Sequence, residues 1–147
     1  MKHKRRLFDM CVLPAMLYGC ETWAATKKQL EILAVAQRRM ERRMAGTSLR
    51  DRRTNKWLRG VTKVRDVIDE AHFRKWSYAW RVAKMDPTLW TRQLVDWDPR
   101  EAKRSRGRPR RRWRDELAEG CGTKNWPSRA RRMPKQEWLL QCGRCAL

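Results

Sequence analysis

The stretch Thr26-Lys27-Lys28-Gln29-Leu30-Glu31-Ile32-Leu33-Ala34-Val35-Ala36-Gln37-Arg38-Arg39-Met40-Glu41-Arg42-Arg43-Met44-Ala45-Gly46 decides the fold class. Thr26 and Gln29 have the form of a capping box, in which the hydroxyl and the amide each satisfy an orphan backbone group. Leu30, Leu33, Gln37, Met40 and Met44 then recur at helical spacing, with Arg38, Arg39, Arg42 and Arg43 to one side. Gly46 stands where a left-handed residue ends a helix. The segment reads as one long amphipathic helix, bounded at both ends by its own residues.

The same signals recur on either side, and strand signals are almost absent. Residues 3–18 carry a loose apolar face of Leu7, Cys11, Met16 and Tyr18, closed by Gly19. Ser48 to Asp51 reads as a further helix start, followed by a short helix carrying Trp57 and Leu58 as far as Gly60. A longer helix is expected over residues 62–85, on the stripe Val64, Val67, Ile68, Ala71, Trp76, Ala79 and Val82 or Ala83, closed by Asp86-Pro87. Short helices are expected over residues 110–119, broken by Gly120-Cys121-Gly122, and over residues 126–140. The expected class is therefore all-α: several short amphipathic helices and an extended Arg-rich loop between about residues 98 and 110. The chain divides into a helical region (1–96), a basic loop (97–112), C-terminal helices (113–140) and a frayed tail (141–147).

Composition narrows the function. Among 147 residues, 37 Lys and Arg stand against 16 Asp and Glu, for a net charge of +21, and 26 of the cations are Arg. A compact chain of this charge repels itself unless a polyanion relieves it, which makes nucleic acid the expected partner. No apolar run of membrane-spanning length occurs, so no membrane partner is expected. The odd count of five Cys favours free thiols and a reducing intracellular compartment, nuclear or cytoplasmic. The basic-then-apolar start imitates a signal peptide, but Asp9 and Pro14 interrupt it.

No constellation for catalysis or metal binding stands out, and no cofactor is expected. Two-metal phosphoryl transfer needs clustered carboxylates, and the chain has no Asp-Asp pair. Asp66, Asp69 and Glu70 read as intrahelical partners of Arg65, Arg74 or Lys63. His72 lacks a visible orienting partner for general-base work. Cys142 and Cys145, even with Cys121, fall one short of a four-ligand zinc site.

Residues 100–114 hold nine cations and one acid, Glu101. Arg106-Gly107-Arg108-Pro109 matches the core of an AT-hook, an extended segment that lies in narrow A·T minor grooves. Generic phosphate contact is the broader expectation, through Lys103, Arg104, Arg106, Arg108, Arg110, Arg111 and Arg112 together with Arg38, Arg39, Arg42 and Arg43. Among nine Trp, those at 76, 113 and 126 fall on apolar faces and read as core, while Trp80 and Trp90, beside Arg81 and Arg92, are candidates for base stacking.

The order of motifs resembles a known family. Leu13-Pro14, Tyr18-Gly19, Glu21-Thr22-Trp23 and Gln37-Arg38-Arg39-Met40-Glu41-Arg42 resemble the region just after the polymerase palm in non-LTR (LINE-type) retrotransposon reverse transcriptases. Lys75-Trp76, Val82-Ala83-Lys84-Met85, Trp90, Trp97 with Pro99, Lys103-Arg104, Gly107-Arg108-Pro109, Arg112-Trp113-Arg114-Asp115, Trp126, Ala130, Arg132 and Trp138 follow in the same order. Where that family has a Gly-His pair this chain has Trp80-Arg81, so no role of that histidine carries over. The resemblance implies a thumb-like helical region that grips template–primer, with the aspartate pair, palm and endonuclease lying upstream in a full-length parent. A chain starting here resembles a truncated or decayed copy. The alternatives are a free-standing AT-hook-like chromatin protein and a non-functional relic of a transposable element.

Overall fold

The computed structural model describes residues 1–97 and 111–141. Its elements are α1 (Lys2–Leu7), a π-helical turn (Phe8–Val12), α2 (Leu13–Met16), a 3₁₀ turn (Cys20–Thr22), α3 (Lys27–Ala45), a second 3₁₀ turn (Leu49–Asp51), α4 (Asn55–Thr62), α5 (Val67–Lys84), α6 (Trp90–Asp96), α7 (Trp113–Cys121), α8 (Trp126–Arg132) and α9 (Lys135–Gln141). No strand occurs among the described residues, and the fold is all-α as expected. The expected Arg-rich loop lies outside the described residues, as does most of the expected tail, with Cys142 and Cys145.

The chain forms two compact units, one of Met1–Cys20 with Thr26–Ala71 and one of Glu21–Ala25 with His72–Leu147. In the first, α3 begins and ends as its sequence dictates. The Thr26 hydroxyl accepts from the Gln29 backbone N–H at 3.3 Å and the Gln29 side-chain oxygen Oε1 accepts from the Thr26 N–H at 2.8 Å, while Gly46 takes φ +66° at the other end. Phe8, Leu13, Leu17, Cys20, Leu58 and Val67 form the apolar interior of this unit.

The residues of α3 that are fully buried are polar. Gln37 and Glu41 are both 0% exposed. Gln37 explains why α5 starts at Val67, five residues later than the expected start at residue 62. Its amide nitrogen donates to the Arg65 carbonyl at 2.8 Å, and its amide oxygen accepts from the Val67 N–H at 2.7 Å. Asp9 accepts from the Arg65 N–H at 3.1 Å. These side chains satisfy backbone groups that a helix would otherwise pair, so residues 63–66 stay extended or turned. Asp66 is then a cap rather than a mid-helix acid, its Oδ1 accepting from the Ile68 N–H at 2.8 Å. Arg65 meets Glu70 at 3.5 Å, but from the segment before α5 rather than as the expected intrahelical pair.

The second unit is built on tryptophan. Trp76, Trp126 and Trp138 are at most 2% exposed and lie among Ala79, Ala83, Leu117, Cys121 and Ala130. Trp76 and Trp138 stack at a tilt with ring centroids 4.8 Å apart, and the Trp138 indole N–H donates to the Trp76 carbonyl at 3.0 Å. Trp113 packs against the same cluster and meets Trp126 edge-on at 5.9 Å. The core reading of Trp76, Trp113 and Trp126 therefore holds. The single helix expected over residues 126–140 is two, because Pro134 forces Met133 into extended backbone at φ −103°, ψ 143°.

Gly120 does not break α7; Gly122, at φ +66°, ends it. A Cβ on Gly120 would stand 2.6 Å from Cζ2 of Trp76, a ring already fixed by its neighbours. Gly120→Ala should therefore cost about 1–3 kcal/mol, as overpacking does. Gly60 lies inside α4 with nothing among the described residues within 4 Å of such a Cβ. Gly60→Ala should instead stabilise by about 0.5–1 kcal/mol, since alanine loses less backbone entropy in a helix. Opposite shifts in thermal midpoint for these two variants are the expected result.

Candidate nucleic-acid interface

The four cations expected to hold phosphates on α3 divide into two pairs. Arg38 is turned inward, with its side chain 12% exposed. It contacts Glu41 and reaches Asp66 at 2.8 Å. Arg42 is half-buried and donates to the Asn55 side-chain amide oxygen, Oδ1, at 3.0 Å. Arg39 and Arg43, four residues apart, are exposed and make no ion pair among the described residues. The spacing showed all four on one side, but it could not show which would meet a partner brought by α4 and the turn after it.

From the basic loop, Lys103, Arg104, Arg106, Arg108 and Arg110 lie outside the described residues. Arg111 pairs with Glu119 at 2.8 Å, where the acid is largely exposed and the pair is correspondingly weak. Arg112 precedes α7, and its backbone N–H donates to Asp115 at 2.7 Å.

The two stacking candidates also differ. Trp80 is half-buried against the tryptophan core, its indole N–H donates to the Met133 carbonyl at 3.1 Å, and Lys84 lies over its ring at 4.3 Å. Trp90 is 79% exposed at the start of α6. Leu94 and Trp97 follow it at i+4 and i+7 and are 63% and 64% exposed, which leaves one face of α6 apolar and open to solvent. α6 is not among the expected helices, although Trp90, Leu94 and Trp97 have helical spacing; it is seven residues long, turns its large apolar residues outward and buries Arg92.

One cluster of charged residues escapes sequence reading altogether. His72 Nδ1 lies 2.8 Å from Glu116 Oε1, and Lys75 Nζ donates to Glu116 Oε2 at 2.6 Å and to the Trp23 carbonyl at 3.0 Å. His72 and Lys75 are only 4% and 3% exposed. Burial raises the affinity of Glu116 for a proton, but hydrogen bonds from His72 and Lys75 and the Lys75 charge outweigh it and hold the carboxyl at about 2. His72 thus has the carboxylate partner that its own sequence neighbours lack, from α7. The cluster is walled in by the second unit, and its role there is to bind α5 to α7.

No group of three or more His, Cys, Asp or Glu able to hold a metal ion occurs among the described residues. No described helix is long and apolar enough to cross a membrane.

No protein-family model matches the chain, and no solved structure matches it. Over 150 aligned residues the chain is 31% identical to an uncharacterized transposon-derived protein of Caenorhabditis elegans. The alignment takes in 94% of this chain and 53% of that protein, so the chain spans about half the length of the curated relative it matches.

Proposed function

We propose that this chain is transposon-derived and is the nucleic-acid-binding, post-palm region of a non-LTR retrotransposon reverse transcriptase. It grips template–primer through phosphate contacts and carries no catalytic site of its own. The similarity to a transposon-derived protein supports the origin, and the ordered motifs described above supply the finer assignment.

The observation that carries the binding reading is how the acids are used. The chain has 16 acids for 37 Lys and Arg, and several of those acids are committed within the fold. Glu41 is fully buried beside Arg38 and Thr62, Asp66 takes Arg38 and Arg59, and Glu116 takes Lys75 and His72. The exposed cations therefore outnumber the acids left to screen them, and a polyanion is the natural counterion. Leu7, Met10, Tyr18, Ile32 and Val35, each more than half exposed, are the apolar surface that the palm of a full-length parent would cover.

Binding to a 20-base-pair duplex, followed by fluorescence anisotropy, should weaken by about a thousandfold or more between 50 and 200 mM salt, as it does for proteins making six or more phosphate contacts. Replacing Arg110, Arg111 and Arg112 by Ala should lower the log–log salt slope by up to about 3 units, equally on A·T-rich and G·C-rich duplexes. Salt-independent binding, or none, would overturn the reading. If replacing Arg106 and Arg108 abolishes only A·T binding, the AT-hook reading takes its place. Given primed template, nucleotides and Mg²⁺, the chain should extend no primer.

A further inference from the structure

α4 and its two flanks depart from local sequence rules at three points. Five described residues adopt the left-handed backbone that favours glycine. Three of them are Gly19, Gly46 and Gly122; the other two are Arg52 and Lys63, at φ +50° and +51°. Arg52 precedes α4 and Lys63 ends it, so a strained cation flanks the helix at each end. Strain of this kind clusters at ligand clamps and other functional sites. The third departure is Gly60, inside the helix, with open space where its side chain would be.

Helical spacing sets Lys56, Gly60 and Lys63 at i, i+4 and i+7, opposite the buried Leu58 and Thr62. Residues 50–65 hold seven cations and one acid, Asp51. Asp51 is held by the Ser48 N–H and hydroxyl at 2.6 and 3.1 Å. Arg59 and Arg65 have acid partners in Asp66 and Glu70, whereas Arg50, Arg52, Lys56 and Lys63 have none among the described residues. On the same face Trp57 is 38% exposed, with the Arg53 guanidinium 5.1 Å from its ring centroid. An aromatic ring backed by arginine and flanked by unpaired cations is the arrangement with which proteins hold single strands, by stacking a base and neutralising its phosphates.

We propose that the exposed face of α4 is a contact for single-stranded nucleic acid, distinct from the basic loop. Arg52, Arg53, Lys56 and Lys63 hold successive phosphates, Trp57 stacks an unpaired base, and Gly60 leaves room for the strand against the helix backbone. This rests on the nucleic-acid reading above and adds to it the surface, the residues and the single-stranded substrate.

The test exploits the strain. In the full chain, Arg52→Gly with Lys63→Gly removes two strained residues and two charges at once. Thermal stability should be unchanged or higher, while the log–log salt slope on a 20-mer oligothymidylate falls by about 1.4, at about 0.7 per phosphate for single strands. Trp57→Leu should weaken binding to that oligomer about five- to a hundredfold, as loss of one base stack does. It should change binding to a 20-base-pair duplex less than twofold. The proposal is overturned if the double glycine variant keeps the wild-type slope, or if Trp57→Leu weakens strand and duplex alike. Should that happen while the Arg110, Arg111 and Arg112 variant still loses slope, the nucleic-acid reading survives without this surface. Absence of salt-dependent binding in the wild-type chain would remove both.

Discussion

Glu116→Ala should destabilise the second unit by about 3–5 kcal/mol, the usual consequence of removing one partner from a buried ion pair. Lys75 would keep its ammonium 3.0 Å from the Trp23 carbonyl, but with a side chain only 4% exposed and no countercharge. His72 Nδ1 would lose its partner too, and Nε2 already has none among the described residues. Domains are stable by about 5–15 kcal/mol in all, so the variant is expected to lose its cooperative thermal transition or shift it far down. Glu116→Gln keeps one hydrogen-bond acceptor and should lie between the two. The same carboxylate sets an acid limit. Its folded value is about 2 against an ordinary 4.5, so its contribution is complete above pH 4.5 and is lost as the pH falls toward 2. Unfolding followed across that window should be shallower in Glu116→Gln than in the wild type. An unchanged thermal midpoint in Glu116→Ala would refute the account.

Glu41→Ala should have an effect of similar size in the first unit. Glu41 is 0% exposed, accepts from the Thr62 hydroxyl at 2.8 Å and pairs with Arg38. Its removal leaves the inward-turned Arg38 with Asp66 alone and orphans part of the contact between α3 and α4. A loss of about 3–5 kcal/mol is expected by the same reasoning. Arg38→Ala should also destabilise, whereas Arg39→Ala should leave the thermal midpoint within about 0.5 kcal/mol, as exposed surface substitutions do. That contrast between adjacent arginines, read by denaturation, separates structural cations from surface ones. Equal effects would show that the two residues are not divided as described.

Ends of helices were legible because their chemistry is local. Thr26 with Gln29, and Gly46 after the last turn, act on backbone groups within four residues, and the structure places both as the spacing indicates. Gly122 acts in the same way, and only the breaker two residues before it was misread, since Gly120 is small in order to admit Trp76 rather than to end a helix. Pro134 was legible in principle, but the apolar pattern on both sides of it suggested continuity where the residue before proline allows none. α6 is too short for its helical spacing to stand out, three apolar positions over two turns, and those residues face solvent rather than core.

By itself the sequence determined that the chain is helical, strongly basic and without a carboxylate pair, since composition and spacing of a few residues suffice for each. Only the tertiary structure decided which polar groups would be interior and which cations would remain outside. Gln37 meets Arg65 and Val67, Arg38 meets Asp66, and His72 and Lys75 meet Glu116, across separations of 28 to 44 residues. The sorting of tryptophans has the same origin. Trp138 is fully buried and Trp90 largely bare although each lies beside charged or polar residues in the chain, because burial depends on which helix packs opposite. A local pattern sets the direction in which a side chain points from its own helix. What it meets there is set by packing among distant segments, and a buried charge is tolerated only where that packing brings its partner.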